Sequence, residues 1–126
     1  GYVVSRRPDI FGAFTRHLLN YIGEDSTRNQ TIWGLAEIAK DRPDLIRKTP
    51  FYNLFHFLQH PDAETRGHVA RLLGRISASE ASIQLMGLAS DNEEFRYCED
   101  GEFVTTTVAE AAAEAIQAIK KGQKNE

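Results

Sequence analysis

The sequence contains one cysteine, one methionine, one tryptophan and four prolines in 126 residues. A single cysteine excludes a disulfide framework within the chain and any thiolate zinc site. It fits a reducing compartment, so a cytoplasmic location is expected. No apolar run approaches the roughly 20 residues that span a bilayer. The glycines form neither a Walker-type loop nor a Gly-x-Gly-x-x-Gly, which leaves nucleotide binding without support. Positive charge is not in excess. With 15 Lys+Arg against 18 Asp+Glu, the net charge of −3 gives no electrostatic reason to expect nucleic acid. At 41% hydrophobic and 26% charged residues, the chain is neither disordered nor collagen-like. Its length buries about two-thirds of the unfolded surface, enough for one core.

What the sequence has is repetition. Residues 24–38 lie over residues 62–76 at an offset of 38, with Arg28 on Arg66, Leu35 on Leu73 and Ile38 on Ile76. Arg7-Pro8-Asp9-Ile10 matches Arg42-Pro43-Asp44-Leu45 at 35, and Ala113 to Ile119 lies over Ala70 to Ile76 at 43. Such offsets are the period of two-helix repeats. The chain opens at Gly1, and its first residues read as the tail of a helix belonging to a longer protein.

Hydrophobic spacing divides each unit into helices. Phe11, Phe14, Leu18, Tyr21 and Ile22 form a stripe that stops at Gly23. Asp25 or Ser26 caps a second helix with Ile32, Leu35, Ile38 and Ala39 inward. Pro43 suits a first helical turn, and Pro50 precedes a helix with Phe51, Leu54, Phe55 and Leu58 as core, leaving Tyr52, His56 and Phe57 off the stripe. Asp62 caps a helix with Val69, Leu72, Leu73 and Ile76 inward. Ser77-x-x-Glu80 and Thr107-x-x-Glu110 read as capping boxes, the first for a helix bearing Ile83, Leu85, Met86 and Leu88. Between them, two β-prone runs flank Asp100-Gly101, a hairpin signal expected to pack on the final helices. Gly34 and Gly74 each cost about 1 kcal/mol in a helix interior, so close helix packing is expected to offset both.

Asp62-x-x-x-Arg66-x-x-x-x-x-x-Leu73-Gly74-Arg75-Ile76 resembles the second helix of a HEAT-like repeat of the phycobilisome-lyase type. Asp25 to Ile38 matches it with the Asp-to-Arg spacing one shorter, and the last repeat has Thr105 and Ala109 where Asp62 and Arg66 stand. The resemblance covers nearly the whole chain. It implies an all-α fold: a right-handed α-α superhelix, or HEAT-like solenoid, of about three helix pairs, with a small β-hairpin insertion near residues 94–106. Residues 1–121 would be one such domain, a fragment of a longer chain, and residues 122–126 a polar tail.

The function implied is non-catalytic: a protein-protein interaction or scaffolding module using the concave face of the solenoid. Trp33, Glu37, Arg71 and Arg75 would line that face as the protein-binding stripe, since Trp and Arg are enriched at binding hot spots. Arg28, Asp62 and Arg66 would brace the stack as a structural ladder. Self-association through the N-terminal end, at Phe11 and Phe14, is a further expectation. The alternative is a bilin-lyase-like subunit or chaperone binding a tetrapyrrole, and a third reading is a DNA-contacting domain like the alkyl-purine glycosylases of this architecture. HEAT-like diiron hydroxylases carry His-Glu pairs, and no His-Glu dipeptide occurs here. His56 and His60 have a chelating spacing but no third ligand nearby, and Cys98 has only Glu99 and Asp100 beside it, which blunt a thiol. No catalytic residue, metal or cofactor is therefore expected.

Overall fold

The fold is described from a computed structural model, over residues 28–49 and 51–124. The elements run α1 (Arg28–Asp41), α2 (Pro43–Arg47), a 3₁₀ segment (Phe51–Gln59), α3 (Ala63–Arg75), a 3₁₀ turn (Ser79–Ala81), α4 (Ser82–Met86), β1 (Glu94–Glu99), β2 (Glu102–Thr107) and α5 (Val108–Lys124). Helix α3 is central. It packs on α1, α5, the 3₁₀ segment and β1, while α4 rests on α5.

Local chemistry sets most of these boundaries. Asp62 caps α3 by accepting from the Glu64 amide at 3.2 Å, and Val69, Leu72, Leu73 and Ile76 are buried as their spacing predicts. Pro43 opens α2. At the start of α5 the Thr107 hydroxyl accepts from the Glu110 amide at 3.1 Å, and the Glu110 carboxylate takes the neighbouring Thr106 hydroxyl at 2.6 Å. Asp100 and Gly101 both have positive φ, 52° and 82°, the requirement of a two-residue hairpin turn, and Glu99 pairs with Glu102 across it. Gly74 lies where α3 meets α5: a Cβ there would stand 2.6 Å from the Ala115 Cα. Gly34 differs from the expectation, because no atom lies within 4 Å of where its Cβ would be.

The all-α, right-handed superhelix of about three helix pairs is corrected by this arrangement. The described residues are mostly helical but include a two-stranded antiparallel sheet, and they show no regular solenoid. Where regular first helices were expected there stand a nine-residue 3₁₀ segment and the five-residue α4. In the 3₁₀ segment the inward residues are Phe51, Leu54 and Phe57 with Leu58, a spacing of three rather than the α-helical stripe. Phe57 is thus core and Phe55 only half-buried, the reverse of the sequence reading. Ser77 takes a positive φ of 53° and leaves Ala78 at the N-cap of the 3₁₀ turn without a side-chain cap, so the Ser77 capping box does not form. Of the α4 stripe only Leu85 is buried.

The hairpin packs on α3 as well as on the last helix. Phe95 of β1 is buried against His68 and occupies the space that a side chain at Gly67 would need, and β2 runs directly into α5. The stripe from Phe11 to Ile22, the caps at Asp25 or Ser26, and the N-terminal self-association surface lie outside the described residues.

Candidate functional site

Trp33, Glu37 and Lys40 recur on one face of α1 at helical spacing, and His68, Arg71 and Arg75 do so on α3. The two faces meet as a charged seam, and β1 lies over it. The Trp33 indole N–H donates to the Cys98 carbonyl at 2.9 Å. The Arg71 guanidinium stands over the Tyr97 ring, 3.7 Å from its centroid, and reaches Glu99 at 2.7 Å. Arg75 contacts Glu99 at 3.1 Å and Glu37 at 3.3 Å, and its Nη1 donates to the Ala36 carbonyl at 2.7 Å. Lys40 lies 3.2 Å from Glu99 and 3.7 Å from both Glu37 and Asp100.

All four residues of the expected binding stripe, Trp33, Glu37, Arg71 and Arg75, therefore come together, but as the dock for the hairpin rather than as an open surface. Lys40, Tyr97 and Glu99 complete the seam and were not singled out in the sequence. Only the acidic hairpin tip, Glu99-Asp100 opposite a stripe holding two arginines, could have signalled them.

The seam is electrostatically uneven. Burial pushes the Glu99 carboxyl upward, yet the hydrogen bond from Lys40 and the charges of Arg75, Arg71 and Lys40 outweigh it and hold its pKa below the ordinary value. Arg71 is shifted down, first by burial and then by the charge of Arg75. Its Nη1 is buried without a hydrogen-bond partner among the described residues, as is Nδ1 of His68 one turn earlier. Burial, followed by the charge of Arg71, lowers the His68 pKa to about 4 and keeps its ring neutral.

The expected ladder residues have different tasks. Arg66 pairs with Asp91 at 2.8 Å and Glu93 at 3.1 Å, and its Nη1 donates to the His60 and Pro61 carbonyls at 2.8 and 3.0 Å. It thereby ties the start of α3 to the loop that leads into β1. Asp62 is a helix cap whose carboxylate also accepts from Asn29 at 3.0 Å; its side chain does not pair with Arg66, which meets it only through the backbone bond from the Arg66 amide to the Asp62 carbonyl. Arg28 lies 2.9 Å from His60 and stands over the Phe57 ring. His56 is exposed, and no cluster of three potential ligands stands close enough to hold a metal ion among the described residues. Cys98 is half-buried on β1.

Beside the seam, between α3, β1 and α5, opens a cleft of about 390 Å³. Its floor is small and apolar, Gly74, Ala111, Ala115 and Ala118, while Arg71, Arg75, Tyr97 and Glu99 form one wall and Glu114 stands at the other. A second surface lies on the 3₁₀ segment and α4. Ile83 and Met86 are 77% and 55% exposed, and Tyr52, 56% exposed, reaches Glu80 one turn before Ile83 with its hydroxyl 3.3 Å from the carboxylate. Among the described residues no helix is long and apolar enough to cross a membrane. No family model matches the chain, and no curated protein or solved structure matches it.

Proposed function

We propose that the protein is a non-catalytic protein-interaction module that binds its partner through the surface made by Tyr52, Ile83 and Met86. The observation that carries this reading is the exposure of three large apolar side chains on adjoining elements; among the described residues Phe103, on the hairpin, is the other large apolar side chain exposed to this degree. Clustered apolar exposure of this kind marks interaction sites rather than ordinary surface. The Arg47–Glu80 pair at 3.1 Å borders the patch and gives it the polar rim that interfaces have around an apolar centre.

The test is affinity capture with the full chain and an Ile83→Asp/Met86→Asp variant, read by mass spectrometry. Both positions are exposed, so the variant is expected to keep its melting temperature and lose a partner that the parent chain retains. A partner retained equally by the folded variant would move the interaction elsewhere, and a chain that retains nothing above background would overturn the reading.

A further inference from the structure

The cleft between α3, β1 and α5 combines three features. Its volume, about 390 Å³, lies within the range of small-molecule sites. Its floor is a run of Gly and Ala, with the Tyr97 ring as a further apolar wall, so an apolar body can lie against it. At one end stands Arg71, whose side chain is 9% exposed and whose Nη1 has no acceptor among the described residues. Buried guanidinium donors are normally paired, because an unpaired charged donor loses its hydration without replacement.

The half-buried charges balance, Arg71 and Arg75 against Glu37 and Glu99, so the donor left over is the buried Nη1 of Arg71. Lys40, which also reaches Glu37 and Glu99, is exposed and pairs with Asp100 at the rim. Asp100 and Glu114 stand in solvent, where water and salt screen them.

We infer that the cleft binds a small monocarboxylate, its carboxyl group taken by Arg71 and Arg75 and its apolar tail lying on Gly74, Ala111, Ala115 and Ala118. A singly charged acid suits the site better than phosphate. A dianion would face Glu99 and Glu114 with twice the charge of a monoanion. The arginine fork also matches the planar carboxylate. This inference does not depend on the protein-binding patch, which lies on other elements.

The test is an NMR titration of the full chain with sodium hexanoate, with hexanamide and inorganic phosphate as parallel probes. Hexanoate is expected to produce saturable shifts at the amides of Gly74, Tyr97 and Ala115. Hexanamide and phosphate are expected to bind at least about tenfold more weakly, the loss that follows from one charged hydrogen bond. Arg71→Gln removes the buried donor. Ala118→Phe, at the half-exposed edge of the floor, fills the cleft without touching the charges, and it is expected to abolish the shifts while leaving the fold intact. Hexanoate without saturable shifts, hexanamide or phosphate binding as well as hexanoate, or hexanoate shifts that survive in Ala118→Phe would each overturn the inference.

Discussion

Arg66 and Arg71 lie five residues apart on α3 with side chains 10% and 9% exposed, and their pKa values are displaced in opposite directions. The difference lies in depth and in the supply of acceptors. Arg66 sits at the corner where the loop before β1 meets the start of α3, with two carboxylates and two carbonyls around it. The hydrogen bond to Asp91 is the largest influence on it and raises its pKa, against the opposing effect of burial. Arg71 lies under the hairpin with the Glu99 carboxylate, which it shares with Arg75 and Lys40, and the Tyr97 ring. There burial and the charge of Arg75 win, and the pKa falls. Similar side-chain exposure thus goes with a structural brace in one region and a more deeply set, under-paired cation in the other.

The largest expected effect breaks this comparison directly. Arg66→Met leaves Asp91 and Glu93 without their cation and opens the corner, with an expected loss of about 3 kcal/mol. Arg71→Met keeps a long apolar stem on Tyr97, and Lys40 and Arg75 remain for Glu99, so a loss of about 1 kcal/mol is expected. Urea denaturation midpoints of the two variants decide the matter. Equal losses would show that acceptor supply does not distinguish the two regions.

His68 sharpens the comparison by adding pH. The unfolded chain takes up a proton at this residue near pH 6.5, whereas the folded chain resists until about pH 4. A depressed folded-state pKa means the unfolded state binds more protons in that window. Stability is therefore full above about pH 6.5 and declines as pH falls toward 4, by on the order of 3 kcal/mol at most. His68→Phe keeps the edge-on contact with Phe95 and removes the titration, so its stability profile is expected to be flat through that window. Glu99 acts lower. Its depressed pKa stabilises the docked hairpin above the ordinary glutamate value, and that contribution is lost only as pH falls below about 4.5. A parent profile that is flat from pH 6.5 to 4 would remove His68 from the account.

The smallest effects separate two helix glycines with the same propensity. Gly74→Ala forces a methyl group against the Ala115 backbone and is expected to lower stability by about 2 kcal/mol. Gly34→Ala meets nothing within 4 Å and gains helix propensity, with an expected stabilisation of about 0.5–1 kcal/mol. Thermal melts of both check whether the close approach belongs to the α3–α5 crossing alone.

Much of the local structure was legible in the residues. Asp62, Thr107 and Asp100-Gly101 act at short range, through one side chain and its nearest amides or through a required φ, and each does what its residue type dictates. The α3 core was equally legible, because four apolar residues at helical spacing leave one way to turn the helix. Phe51–Gln59 was misread because its apolar residues fit periods of both 3.0 and 3.6 over so short a run, and Phe57 changes sides with the choice. Ile83 and Met86, named in the sequence only as apolar residues of a short helix, stand exposed, because hydrophobicity predicts burial only where a neighbour exists to provide it.

The candidate site divides along the same line. The sequence alone determined which residues share the α1 and α3 faces, because helical spacing is a local property: Trp33 and Glu37 on one, Arg71 and Arg75 on the other. What covers those faces was decided only by the tertiary structure. Glu99 and Tyr97 reach the seam because Phe95 finds room over Gly67 and seats β1 on α3, a contact between residues far apart in the chain. The same seating turns an expected open stripe into a hairpin dock and leaves the cleft with one buried, under-paired arginine. Nearest-neighbour chemistry is written along the chain. The supply of acceptors around a buried charge depends on which distant segments arrive there, and packing decides that.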